Sequence, residues 1–331
     1  MTSHDEEVAA LLAVDALEAD EQADAELRMG TFPTQLRATA AALAEGAATA
    51  APDALRQQTL RRALSRRRPG RAADGVIACS PRDAFARTSE EFAELLGSLR
   101  PDEWNAQAHE EHGRVRDLVA HLIGIDQLSL RWLRDDVDVP DLPDHVAATR
   151  RTVAEVGPSD PTELLRRWRE GAIAVRDAAV AGPQDRVVTF HDLTLTIDGY
   201  LVTRTFELWA HAMDIALATG RPMPMLDDER MALMSEQLMG VVPLALAYRR
   251  TTVPGRTARF VLTGPAGGSY TVPLAPGEAV GEPDVVVIAA AFDLCRVAAR
   301  RLDPGALGAT IEGDGQLAEV VLAGIDAFAR D

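Results

Sequence analysis

The chain has 331 residues, with 51 acidic side chains against 34 basic ones, every basic one an arginine, and two cysteines. That length predicts two or three domains, and a net charge of −17 excludes general DNA binding, which needs a positive surface. An apolar fraction of 47% excludes wholesale disorder, and 5% aromatics among many alanines favours close-packed helices over sandwiched sheets.

The first 29 residues hold nine acids and one arginine. Val8, Leu11 and Leu12 open a short amphipathic helix there, and a second runs over 19–29. Gly30 and Pro33 interrupt the pattern, Leu36, Ala40 and Leu43 resume it, and a basic helix is predicted over 53–68. The arginine-rich stretch from Arg61 to Arg71, with Pro69 and Gly70 near its end, reads either as a solvated linker or as a partner-binding patch. The linker proper is placed at 69–80.

From Pro81 longer helices begin. Phe85, Phe92, Leu95, Leu96 and Leu99 mark one that Pro101 stops, and a second is predicted over 115–133. A third covers 162–181, with Leu164, Leu165, Trp168 and Ile173 expected to face inward. β-like stretches at 187–190 and 193–197 precede a fourth helix over 200–219. Four such helices bury their stripes most readily as a bundle. A further helix over 227–248 carries Pro243, where a kink is expected. Beyond Pro254 the texture turns β-like. Strands over 258–263 and 269–274 flank Gly-Pro-Ala-Gly-Gly as a hairpin, a buried strand covers 285–289, and helices over 292–301 and 316–328 close the chain. The fold class is therefore mainly α with a small α+β C-terminal domain, divided as 1–68, 69–80, 81–250 and 251–331.

Glu207-Leu208-Trp209-Ala210-His211 places a carboxylate and an imidazole four residues apart on one helix face, where both can bind one cation. His121, after the apolar Leu118-Val119-Ala120, is the best third donor. The remaining histidines, His4, His109, His112, His145 and His191, sit in polar or loop-like surroundings and are expected at the solvated surface. Cys79 and Cys295 form no CxxC pair, which argues against a disulfide framework or a cysteine-rich zinc site. No basic start followed by an apolar run is found, and no run of 18 apolar residues, so a cytoplasmic chain without a membrane span is expected.

The stretch Arg116-Asp117-Leu118-Val119-Ala120-His121-Leu122, followed by Phe206-Glu207-Leu208-Trp209-Ala210-His211-Ala212-Met213-Asp214-Ile215, resembles the DinB-like family of mycothiol-dependent maleylpyruvate isomerases. The resemblance covers about 81–248, with a C-terminal module like that family's second domain. It implies a DinB-like four-helix bundle in which His121, Glu207 and His211 hold a divalent metal, usually zinc. It also implies mycothiol as cosubstrate and a small electrophilic substrate, attacked by a thiolate that the metal activates. Asp293-Leu294-Cys295-Arg296 and Arg301 fit the same pattern, and Arg301 is the residue that would face a substrate carboxylate. The resemblance departs at His109-Glu110-Glu111-His112-Gly113, where relatives commonly carry a Pro-Gly-Trp-type stretch, so the pocket wall is expected to differ there.

Residues 5–68 resemble the zinc-associated anti-sigma domain of bacterial regulators, through Leu-Leu-Ala-Val-Asp-Ala-Leu-Glu-Ala-Asp-Glu and Ala54-Leu55-Arg56. Where those domains carry His-x3-Cys-x2-Cys this chain has Arg28, Phe32 and Gln35, so no zinc is expected in that module. The resemblance implies an extracytoplasmic-function sigma factor as partner. Two functions follow as expectations: a metal-dependent isomerase or S-transferase, or an anti-sigma factor whose bundle senses thiols or metals.

Overall fold

The computed structural model describes residues 59, 70–71, 77–134, 145–182, 186–190, 193–264 and 266–326. The expected anti-sigma-like module at 5–68 lies outside the described residues, apart from position 59.

The bundle begins with α1 (Pro81–Gly97), entered through Ser80, whose hydroxyl accepts from the Asp83 N–H, with Pro81 pre-set for the first turn. A short 3-10 turn (Glu103–Asn105) leads to the two-stranded ribbon β2 (Gln107–His109) and β3 (Gly113–Arg114), and then to α2 (Val115–Leu133). A helix that the sequence reading did not mark, α3 (His145–Val156), follows. Next come α4 (Pro161–Ala181), the hairpin β4 (Val187–Phe190) and β5 (Leu193–Thr196), and α5 (Ile197–Thr219). Helices α1, α2, α4 and α5 supply Phe92, Leu118, Leu122, Trp168, Leu208 and Ile215 to one apolar core. The expected bundle is present. Ile173 does not face inward as predicted: it is half exposed on α4, where Leu164, Trp168, Ala172 and Val175 form the buried stripe.

Helix α3 rests on α2 where Gly124 removes a side chain. A Cβ at Gly124 would stand 2.8 Å from Thr149 Cγ2, closer than carbon atoms pack. That close approach brings Thr149 within reach of the α2 face that carries His121.

Gly220, in the left-handed conformation at φ +66°, ends α5 as only glycine does without strain. After it, α6 (Asp228–Arg249) contains Pro243 in its interior and sends Met234, Leu238, Val242 and Leu246 into a second core. It is the one described helix long and apolar enough to cross a membrane by length and composition, and more than half of its apolar stretch is buried within the molecule. The second core is completed by a five-stranded sheet. Its strands are β1 (Gly70–Arg71), β6 (Thr257–Thr263), β7 (Gly268–Pro273), β8 (Val285–Ala290) and β9 (Thr310–Gly313), in the order β1-β7-β6-β8-β9. β6 and β7 form the expected hairpin, with Leu262 opposite Gly268, while β6 and β8 run parallel. β1 thus brings part of the predicted linker to the sheet edge, opposite Ser269 and Gly268. Helices α7 (Ala291–Ala298) and α8 (Gly315–Ile325) cover the sheet.

Candidate metal centre

Helix α5 is apolar on nearly every side, burying Leu201, Phe206, Leu208, Trp209, Met213 and Ile215. Through it runs one polar stripe, Arg204, Glu207, His211 and Asp214, whose spacings of three and four residues keep it on a single face. Facing it, α2 presents His121 and Asp126, both about 1% exposed. A third segment, the turn between β2 and β3, adds His112, 7% exposed.

One ligand atom from each of His112, His121 and His211 lies within 4.8 Å of the other two. The His112 and His121 rings stack with centroids 4.0 Å apart, and His211 meets His112 edge-on at 5.3 Å. Glu207 stands beside His121, with Oε1 3.8 Å from Nε2. The structure therefore brings the sequence-predicted His121 and His211 together with His112, and sets Glu207 beside His121 without making it part of that close group. The expectation of a solvated His112 fails. A donor borne on a turn leaves no helical periodicity, and the available signal was the His-x2-His spacing of His109 and His112. His109 itself is half buried, stacked on His112 at 4.7 Å. His4 and His191, and the side chain of His145, lie outside the described residues.

The ring orientations are fixed from behind. His121 Nδ1 and the Thr149 hydroxyl are hydrogen-bonded at 2.7 Å. His211 Nδ1 is 3.1 Å from Asp214 Oδ2, and an ionised carboxylate only accepts, so the proton sits on Nδ1. Both bonds are made by Nδ1, which makes Nε2 the nitrogen suited to a cation, and a carboxylate behind a histidine is the usual partner of a metal-binding imidazole. Burial works to raise the Asp214 carboxyl, but bonds from His211 and Arg301 outweigh it and hold it below the ordinary range. Arg301, the predicted substrate residue, is only 11% exposed and turned onto Asp214: Nε donates to Oδ1 at 2.9 Å and Nη2 to Oδ2 at 2.5 Å. Its Nη1 donates to the Ala299 carbonyl at 2.6 Å.

Below the histidines Arg204 is buried between two carboxylates, donating to Glu207 and, at 2.8 Å, to Asp126 Oδ1. Burial opposes its charge, and Glu207 and Asp126 restore it. Asp126 is pushed up to about 7, chiefly by burial, with Arg204 pulling the other way. Isolated buried charges of this kind are costly, so the triplet holds only because each member is bonded to another. Of the Glu207 carboxylate, Oε1 is buried and makes no hydrogen bond among the described residues, and the same holds for His211 Nε2. Leaving such atoms without a bond costs about 1–3 kcal/mol each, and a divalent cation would relieve that cost. The residues present fit a metal ion.

Residues 85–216 match the family model of the mycothiol maleylpyruvate isomerase N-terminal domain, a span that contains His112, His121, Glu207 and His211. An uncharacterized protein of Mycobacterium tuberculosis is 23% identical over 230 residues, covering 66% of this chain and 86% of its own length. A second from the same organism is 26% identical over 143 residues, covering 43% of this chain and 68% of its own. Among solved structures, the crystal structure of the mycothiol-dependent maleylpyruvate isomerase aligns with a TM-score of 0.49 and 18% identity, over 70% of this chain and 91% of that one. The family-model match thus places a domain of the mycothiol maleylpyruvate isomerase N-terminal type at residues 85–216.

Proposed function

We propose that the chain is an isomerase or S-transferase that uses a low-molecular-weight thiol, mycothiol by family, on a small electrophilic substrate. The observation that carries this reading is the buried histidine cluster inside the family-matched span. His121, Glu207 and His211 are the proposed donors to a divalent cation, and a set of imidazoles with one carboxylate suits zinc. When bound, such a cation lowers the pKa of a nearby thiol and makes thiolate available at neutral pH.

The residues of this chain do the positioning. Asp214 keeps the His211 proton on Nδ1, Thr149 holds the His121 ring, and Arg204 balances the negative charge of Glu207 and Asp126. Arg301 acts through Asp214 as a positioning residue in this reading. The chain's own Cys295 is poorly suited to supply the nucleophile, because it is sealed in the second core and burial pushes its thiol up to about 12. An external thiol answers that need.

The test is an assay of full-length protein, stripped of metal and then reloaded with zinc, with mycothiol and maleylpyruvate or another electrophile. Turnover that needs both zinc and thiol is expected. Turnover that continues without either one contradicts the proposal.

A further inference from the structure

We infer that His112 is itself a donor to the metal, so that a thiol entering the site must compete with it. The inference rests on the metal-site reading above and extends it to a residue outside the predicted set.

Three observations carry it. First, proximity: His112 completes a tight group with His121 and His211, while Glu207 bonds Arg204 through Oε2 and keeps Oε1 3.8 Å from His121 Nε2. Second, the turn is built to hold the imidazole inward. His109 Nδ1 accepts the backbone N–H of Glu111 at 3.2 Å and of His112 at 3.3 Å. Gly113, at φ +80°, reverses the chain where a side chain would be strained and would stand 3.3 Å from Asp117 Oδ2. Arg114 then locks onto Asp117 at 2.8 Å, and the Val115 N–H donates to the Ala106 carbonyl at 3.0 Å, so both ends of the turn are tied to α2. Third, His112 is buried although its neighbours Glu110 and Glu111 are exposed, so the turn spends its inward position on an imidazole.

The chemical consequence follows from counting donors. Zinc sites with four protein donors are closed and structural, while those with three keep a place for an exogenous ligand. His112 added to His121, His211 and Glu207 makes four. Access for a thiol is therefore set by how readily His112 gives way, and His112 is the only one of the four carried on a turn.

The experiment loads the full chain with Co²⁺ and records its visible ligand-field spectrum, its cobalt affinity against a chelator, and its response to mycothiol. The variants are His112→Ala, His112→Phe, which keeps a ring to stack on His121 without a donor, and His121→Ala. The inference expects both His112 variants to retain cobalt with shifted ligand-field bands. It also expects them to bind mycothiol at least about tenfold more tightly than wild type, because no protein donor competes for the place. Spectra and thiol affinity equal to wild type in both variants overturn it. In that case loss of cobalt in His121→Ala leaves the metal-site reading standing. A wild-type chain that takes up no cobalt overturns both.

Discussion

His211 reaches Asp214 through Nδ1, and Asp214 in turn receives two bonds from Arg301, so one imidazole is oriented by a carboxylate that is itself fixed. The carboxylate behind a ligating histidine sets both the tautomer and the basicity of the nitrogen in front, and its loss typically costs roughly 10–100-fold in metal affinity. If the cluster binds a divalent metal, Asp214→Asn is expected to weaken that binding by about that factor while leaving the far-ultraviolet circular dichroism unchanged. Competition with a chelator reads it, and an affinity equal to wild type would show that Asp214 has no hold on the site. These residues were only half legible. Glu207 and His211 stand out because four residues on an apolar helix bring them to one face. Arg204 and Asp214 continue the same stripe at three-residue steps, yet a charged residue on a helix ordinarily marks a solvated face, and only burial shows otherwise.

At the scale of elements, the ribbon that carries His109 and His112 is fastened at its root. Glu103, in the 3-10 turn just before it, receives both Arg221 guanidinium nitrogens at 2.9 Å, and Arg221 lies just beyond the end of α5. Those bonds, with the Arg100 backbone N–H, take the Glu103 carboxyl from an ordinary 4.5 down to about 2. A carboxyl whose folded value is depressed gives stability that is fully present above its unfolded value and is lost as pH falls toward its folded value. For Glu103 the window runs from about 4.5 down to about 2. Glu103→Gln is thus expected to melt below wild type at about pH 6, with the gap narrowing between about pH 4.5 and pH 3. A gap that stays constant across that range would show that the ion pair adds nothing.

Elements were the most legible level of the chain. The span of α2 and the β6–β7 hairpin follow from apolar period and turn residues, because each is decided locally. Helix α3 was not, since its Thr149 earns its place through Gly124 of a neighbouring helix, and no local pattern records that contact. The exposed Ile173 shows the same limit: helical period places it near the inward stripe, but the packing of α4 against α1 and α2 sets where that stripe ends.

Across the whole molecule the two cores meet along α5. The helix sends Leu201, Leu208 and Ile215 into the bundle, and Phe206, Trp209 and Met213 into the core shared with α6 and the sheet. Its polar stripe lies between those two apolar faces, and Arg301, from beyond α7, reaches across to it. A buried arginine, three carboxylates and three histidines in such a place would be an expensive arrangement for a purely structural core. A bound divalent cation would give them a common purpose. The most direct test measures metal content by atomic emission after purification of wild type, His121→Ala and His211→Ala under identical conditions. The account expects about one divalent metal per wild-type chain and near none in either variant, with all three folded. Full metal content in both variants, or none in wild type after zinc loading, would contradict it.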